Sequence, residues 1–400
     1  MGLYFSRNTK VYLKQGSTTW EIPILDGFSF SQGTNNSEIT LMEGMKYHAT
    51  NRKVRRSRRM FTDSFAPAEW SFSTYARPFQ AAVGQSTGWE VNAGDKLALH
   101  HAVEEPLWAN FIAKNTWTPS SLGDDSASGG ADGNADSNSS WAKGVTQSAT
   151  NMILDFTESE SGELGEFELI FVIADDQAGT NKKQYVIKKC VVNEVSVDFD
   201  VEGLTTLNWS GFGSDIDEDD TAISVTVDEE IDSTDNFIRN RLTTLTIASN
   251  DATAFAGDGG AYTAVLTGGN ITFSNNITYL TPESLGRIDT PIGHVTGTRN
   301  IGGSFTCYLD STDNSTAELF KDLVNNDLVT TNSFGLTFGI GGSVTPKIEV
   351  SMPQCHLEIP THSIEDVISM EVNFHALTSG FTPTSAANFE AKLTYTGNAN

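Results

Sequence analysis

Cysteine is scarce in this chain of 400 residues: Cys190, Cys307 and Cys355 are the only three, far apart and odd in number. That excludes a disulfide framework and suits a reducing compartment. Basic charge is short as well. Lys and Arg total 25 against 51 Asp and Glu, a formal charge of −26 at pH 7. A net field of that sign repels a polyanion and argues against a duplex-DNA binder held by phosphate contacts. Long apolar runs are missing. The stretch Phe167-Glu168-Leu169-Ile170-Phe171-Val172-Ile173-Ala174 is among the longest, far short of the roughly 20 residues of a membrane span. The opening Met1-Gly2-Leu3-Tyr4-Phe5-Ser6-Arg7-Asn8 has no apolar segment of a secretory signal. Its match to the loose Met-Gly-x-x-x-Ser acylation pattern is read as chance. Aromatic residues reach 10%, with 23 Phe, too many for a disordered chain.

Catalytic and metal signatures are also thin. No His-Glu-x-x-His, Cys-x-x-Cys, Walker or dinucleotide-binding motif occurs. Gly84-Gln85-Ser86-Thr87-Gly88 has the spacing of a hydrolase nucleophile elbow, which works only between a strand and a helix. The following Trp89-Glu90-Val91-Asn92 alternates like a strand, so a β-turn is expected there. His100 and His101 are adjacent, and His356 and His362 could share a strand face; surface or inter-strand histidines are expected rather than ligands. Asp215, Asp217 and Asp219 are spaced as in a calcium loop, but Asp220 and Thr226 stand where an EF-hand needs Gly and Glu. A solvated acidic linker is the simpler reading. The sequence therefore points to no enzyme, no metal site and no cofactor.

What is present is β texture. Alternating runs occur at Lys10–Leu13, Trp20–Ile24, Glu69–Tyr75, Tyr185–Ile187, Val195–Phe199 and Ile223–Val227, the pattern of half-buried antiparallel strands. Two short helices are expected, over Val103–Ala113 and Ser315–Val324, each with one apolar face and the second opened by a Ser/Thr cap. The pieces recur in the same order. Ser71-Phe72-Ser73-Thr74-Tyr75 returns as Ser304-Phe305-Thr306-Cys307-Tyr308, and Phe28–Gln32 as Ile271–Asn275. Phe167–Ile173 returns as Phe334–Ile340, Cys190 and Cys355 begin comparable stretches, and Leu204–Phe212 resembles Val367–Phe374. Collinear matches of this kind indicate an internal duplication.

The expected organisation is all-β: a first domain over 1–213, an acidic connection over 214–236 and a second domain over 237–400. The first domain carries insertions near 47–61 and 119–147. The 119–147 stretch is rich in Ser, Gly, Asp and Asn and reads as an exposed loop. The other insertion holds Arg52, Lys53, Arg55, Arg56, Arg58 and Arg59. This cluster could dock on the acidic surface of another copy, bind nucleic acid, or be a solvated loop. It has no interleaved aromatics of the sort that stack on single strands, and its charge would steer assembly and register more than supply affinity.

A cysteine-poor β-sandwich with one helix and a long loop near its N-terminal end resembles the major tail tube protein of tailed bacteriophages. So do Ser6–Leu13, Ile24–Ser31 and Gly293–Thr306. The resemblance implies tandem tube-like β-sandwich or barrel domains, with rings whose strands join into one barrel around a DNA channel. A duplicated chain implies a homotrimeric, pseudo-hexameric ring. The basic loop would then contact the next ring. The interval from Phe30 to Phe72 is longer than that from Phe273 to Phe305, so three-fold stacking is expected rather than six-fold. Implied partners are other copies and further tail proteins: baseplate or initiator, tape measure, terminator and, where present, sheath. DNA would pass without specific binding, no membrane is involved, and the virion tail would be assembled in the bacterial host cytoplasm. Many of the carboxylates are expected to face the channel and keep DNA from sticking. The alternative is a tandem β-sandwich adhesin or decoration protein of a virion or cell surface.

Overall fold

The computed structural model describes residues 3–38, 60–80, 100–114, 144–148, 150–156, 163–175, 182–223, 236–250, 261–281, 291–325, 333–364, 366–378 and 390–399. The fold is all-β with two short α-helices among the described residues. Strands of the first half are β1 (Thr9–Gln15), β2 (Thr18–Ile22), β3 (Ser29–Glu38), β4 (Met60–Tyr75), β5 (Pro78–Gln80) and β6 (His100–Ala102). After helix α1 (Glu105–Ile112) come β7 (Val145–Gln147), β8 (Met152–Asp155), β9 (Phe167–Ala174), β10 (Lys182–Asp200), β11 (Thr206–Gly213) and β12 (Ile216–Glu218). The second half opens with β13 (Thr244–Ser249), β14 (Ala261–Thr263), β15 (Leu266–Ser274), β16 (Thr278–Leu280), β17 (Gly293–Val295) and β18 (Asn300–Tyr308). Helix α2 (Thr316–Asn325) precedes β19 (Phe334–Ile340), β20 (Lys347–Leu357), β21 (Thr361–Ser363), β22 (Ser369–Ala376), β23 (Lys392–Thr396) and β24 (Asn398–Ala399).

Hydrogen bonding orders the first half as β3-β4-β11-β10-β9-β1-β2, every neighbour antiparallel. It orders the second half as β15-β18-β22-β20-β19-β13-β14, also antiparallel throughout. The two series match strand for strand, and a 3-10 turn precedes both β1 and β13. Their bulges match too. Cys190 pairs with Phe167 past a bulge from the Ile187–Leu169 pair, and Cys355 pairs with Phe334 past one from Met352–Leu336. One pair exchanges large for small. Trp70 lies opposite Gly211, whereas Gly303 lies opposite Phe374, so each site holds one large ring and one residue with no side chain. The ladders also correct the sequence alignment by two residues. Ser29 pairs with Ser71 and Asn270 with Ser304, which puts Phe30, not Phe28, at the place of Ile271.

Strand β10 joins the halves. The runs Tyr185–Ile187 and Val195–Phe199, expected as separate strands, lie in this one 19-residue strand. Its first part pairs with β9; beyond a register shift at Asn193, Glu194–Asp200 pairs with β15. A continuous layer β3-β4-β11-β10-β15-β18-β22 results, with β20 and then β21 on the far side of β22.

Helix α1 packs into the core, all eight of its residues buried. Trp108 meets Trp209, Phe273 and Phe156 with centroids 5.0, 5.7 and 6.3 Å away, and its Nε1 donates to Tyr395 Oη at 2.8 Å. Residues of both halves therefore share one hydrophobic core. Polar side chains fix the helix in that setting. Gln15 Nε2 donates to Asn110 Oδ1 at 3.1 Å, His101 Nδ1 lies 2.8 Å from Glu105 Oε2, and Gln147 Nε2 donates to Glu105. Glu104 is fully buried, and desolvation pushes its carboxyl up to about 7, with the Arg77 charge acting in the opposite sense. Helix α2 buries only Thr316, Leu319 and Leu323. The hydroxyls of Ser315 and Thr316 donate back to Asp310 O and Tyr308 O.

Other expectations shift. Ile223 is not in a strand, and the rest of the run expected there lies outside the described residues. The start of the acidic connection is not free linker: β12 pairs with β10, Lys188 reaches Asp215 and Asp217, and Lys183 reaches Glu218. Asp219 accepts from Thr221 N and Oγ1. Asp215 and Asp217 thus share the Lys188 ammonium, whereas Asp219 is turned to Thr221.

Candidate assembly surface

The continuous layer turns one face to the core and the other outward. Alternation fixes which is which: Leu207 and Trp209 of β11 are buried, whereas Thr206, Asn208 and Ser210 are partly exposed. Pairing carries this outer set across strands. Ser29, Ser71, Ser210, Glu194, Ser274 and Asn300 form one row. Ser73, Asn208, Ser196, Thr272, Gly302 and His375 form the next, and Tyr75, Thr206, Asp198, Asn270, Ser304 and Asn373 the third. Most of these side chains are short and polar, Ser, Thr and Asn; Tyr75, Glu194 and His375 are the larger ones.

The carboxylates here are Glu69, Glu194, Asp198, Asp200, Glu358 and Glu371, and no Lys or Arg occupies these strand segments among the described residues. Small polar residues thus outnumber acids on the face. Asn208 Nδ2 donates to Asp198 and to Ser196 Oγ at 3.2 Å, while Ser73 Oγ donates to Asn208 Oδ1 at 2.6 Å. Partial burial, then the neighbouring Asp200 charge, raise the Asp198 carboxyl against the lowering by Asn208. Glu358 is lowered by bonds from Asn373 Nδ2 at 2.9 Å and His375 Nε2 at 3.3 Å. His356 pairs with His375, while His362 packs edge-on against Phe320 at 4.5 Å. The two histidines six apart therefore stand on different strands and do not share a site, and His100 and His101 are both buried in β6.

The two halves end differently. β3 and β4 continue past the layer as an exposed stem, Thr34–Glu38 against Met60–Phe65, tied by Asn35 Nδ2 to Ser64 Oγ at 2.9 Å and Thr62 Oγ1 to Asn36 Oδ1 at 2.9 Å. Arg52, Lys53, Arg55, Arg56, Arg58 and Arg59 fall in the chain between Glu38 and Met60, outside the described residues. The Gly84–Gly88 motif and residues 119–143 lie outside them as well, and 145–147 form β7. In the second half the corresponding connection, β16–β17, folds back onto the first: Ile277 N donates to Asn193 Oδ1 at 2.8 Å and Tyr279 Oη to Lys189 O at 3.2 Å. The sequence did not show the row structure of this face, since alternation gives the facing of a strand but not its neighbours.

Comparison with known proteins gives a family match and a relative. The profile of the family described as "Phage tail tube protein" matches residues 60–394. The chain is 29% identical over 394 residues to "Tail tube protein pb6" of Escherichia phage T5, covering 95% of this chain and 74% of that protein.

Proposed function

The chain belongs to the phage tail tube protein family and is a structural component of the virion tail, and from that premise we propose that three copies close into each ring of the tube. The repeated strand order carries this reading. Three chains, each with two matched series, supply six sheets around an axis, and closure removes the exposed edges of a free sheet. The units 1–213 and 237–400 would be the two repeats, with the acidic stretch 214–236 joining them.

The small polar face, carrying carboxylates and no cation among the described residues, is assigned to the channel. Phosphates are repelled there, and hydroxyl and amide side chains offer only weak, replaceable contacts, so DNA slides without binding. The projecting stem points to stacking. Arg52, Lys53, Arg55, Arg56, Arg58 and Arg59 would meet the acidic surface of the next ring. Because the second half folds its equivalent connection inward, stacking repeats three times per ring. Further partners are the initiator or baseplate, tape measure, terminator and, in some tails, sheath, with assembly in the host cytoplasm.

Electron microscopy of the purified chain tests the reading, in low and high salt. Three-fold rings or hollow filaments that shorten in high salt are the expected result, as is shortening by Arg55→Glu with Arg56→Glu. Monodisperse monomers that fail to polymerise even with tail initiator would overturn it in favour of an adhesin or decoration protein.

A further inference from the structure

The chain contains one seam between its halves, where β15 adds to the outer edge of β10, and the same edges recur unfilled at its two ends. Residue correspondence follows from the ladders. Cys190 and Cys355 sit at matching bulges, Val191 pairs with Phe212 and His356 with His375, Ser196 pairs with Asn208 and Thr361 with Glu371. Thr361, His362 and Ser363 of β21 therefore stand where Ser196, Val197 and Asp198 of β10 stand. On the other side, Ser29, Phe30 and Ser31 of β3 hold the places of Asn270, Ile271 and Thr272 of β15. Inside the chain these partners are joined as Ser196↔Thr272, Val197↔Ile271 and Asp198↔Asn270. Among the described residues, β3 pairs only with β4, and β21 only with β22.

Burial shows the same vacancy. Phe199, beneath the internal seam, is 2% exposed, whereas Ile364, its counterpart beyond β21, is 81% exposed. Ile359 and Val367 beside it are also bare, at 63% and 59%. Across the layer, Ile271 is fully buried while its counterpart Phe30 is only partly so. An open edge at each end of one sheet, with bare apolar side chains beside β21 and a half-buried Phe30 in β3, is a head-to-tail surface, which closes into a ring or runs on as a filament.

We propose that the seam between neighbouring copies is β21 of one chain paired antiparallel with β3 of the next, in the register Thr361↔Ser31, His362↔Phe30 and Ser363↔Ser29, so that the contact between copies repeats the contact between halves. This rests on the ring reading above and adds its register. The two seams are unequal. The internal edge is one unbroken strand, whereas Pro360, which has no N–H to donate, interrupts the outer one between β20 and β21. The seam between copies is therefore the weaker and the first to open.

The test mixes chains carrying Ser31→Cys alone with chains carrying Thr361→Cys alone, assembles them, checks assembly by microscopy and adds a short thiol-specific bifunctional reagent. The native cysteines are all buried and should remain silent. A mixed two-chain product in assembled samples only, several-fold stronger than that from Ser29→Cys with Thr361→Cys, is the expected result. Rings without that product, or with stronger linkage of Ser31→Cys to itself, would overturn the seam while leaving the ring reading intact. No ring or filament under any condition would overturn the ring reading, and the seam with it.

Discussion

Trp108 sits where residues of both halves meet, touching Trp209 from one and Phe273 and Tyr395 from the other. Replacing a fully buried tryptophan with alanine leaves a cavity in addition to losing its transfer energy, a cost of about 3–5 kcal/mol. Trp108→Ala should lower the unfolding free energy of the unassembled chain by that amount, read from urea titrations of the two proteins. Glu104, one turn away, makes a different prediction. Its carboxyl is raised by burial to about 7, so the folded state holds a proton that the unfolded state releases from about pH 4.5 upward. Stability from this group is present at low pH and falls as pH rises through 7, levelling off above it. Glu104→Gln should flatten that decline by at most about 3 kcal/mol, read as the difference between the two proteins in urea midpoints at pH 5 and pH 8.

At the scale of elements, the exchange of large and small across β4–β11 and β18–β22 shows how one strand order tolerates two sequences. A Cβ on Gly211 would lie 2.5 Å from the Trp70 ring, and overpacking of that sort costs about 1–3 kcal/mol. Gly211→Ala should lower thermal stability, while Gly335→Ala, where the nearest atom is 3.5 Å away, should change it far less. Such elements were largely legible in the sequence. Alternation located Trp20, Phe72 and Val197 in strands, and the apolar faces located both helices. Cys190 and Cys355 marked matching places before any ladder was known. Pairing was not legible. Nothing local tells Tyr185–Ile187 and Val195–Phe199 that they share one strand, or that Asp217 lies in a strand, because acids on an exposed strand read like acids in a linker. The two-residue slip at Phe28 has the same origin: a shift of two keeps every side chain on its face, so the pattern is blind to it.

For the whole molecule, the formal charge of −26 is not concentrated on the rows proposed to face the channel, which are mainly Ser, Thr and Asn. In the proposed stack, repulsion between rings then comes largely from other surfaces, and the basic cluster between Glu38 and Met60 would have to overcome it. Filament yield for the natural chain should pass through a maximum with ionic strength: too little salt leaves like charges unscreened, too much weakens the basic contact. The Arg55→Glu, Arg56→Glu chain should keep the rising part and lose the height. Sedimentation across a salt series reads both.

Because β10 of the first series also pairs with β15 of the second, and α1 fills a core drawn from both halves, neither half owns a boundary along which it could melt alone. Heat should enter as a single calorimetric peak whose van't Hoff and calorimetric enthalpies agree, for the unassembled chain. Mechanically, each chain is then a plate without a hinge, and a filament built from it must take up any bend at the joints between chains.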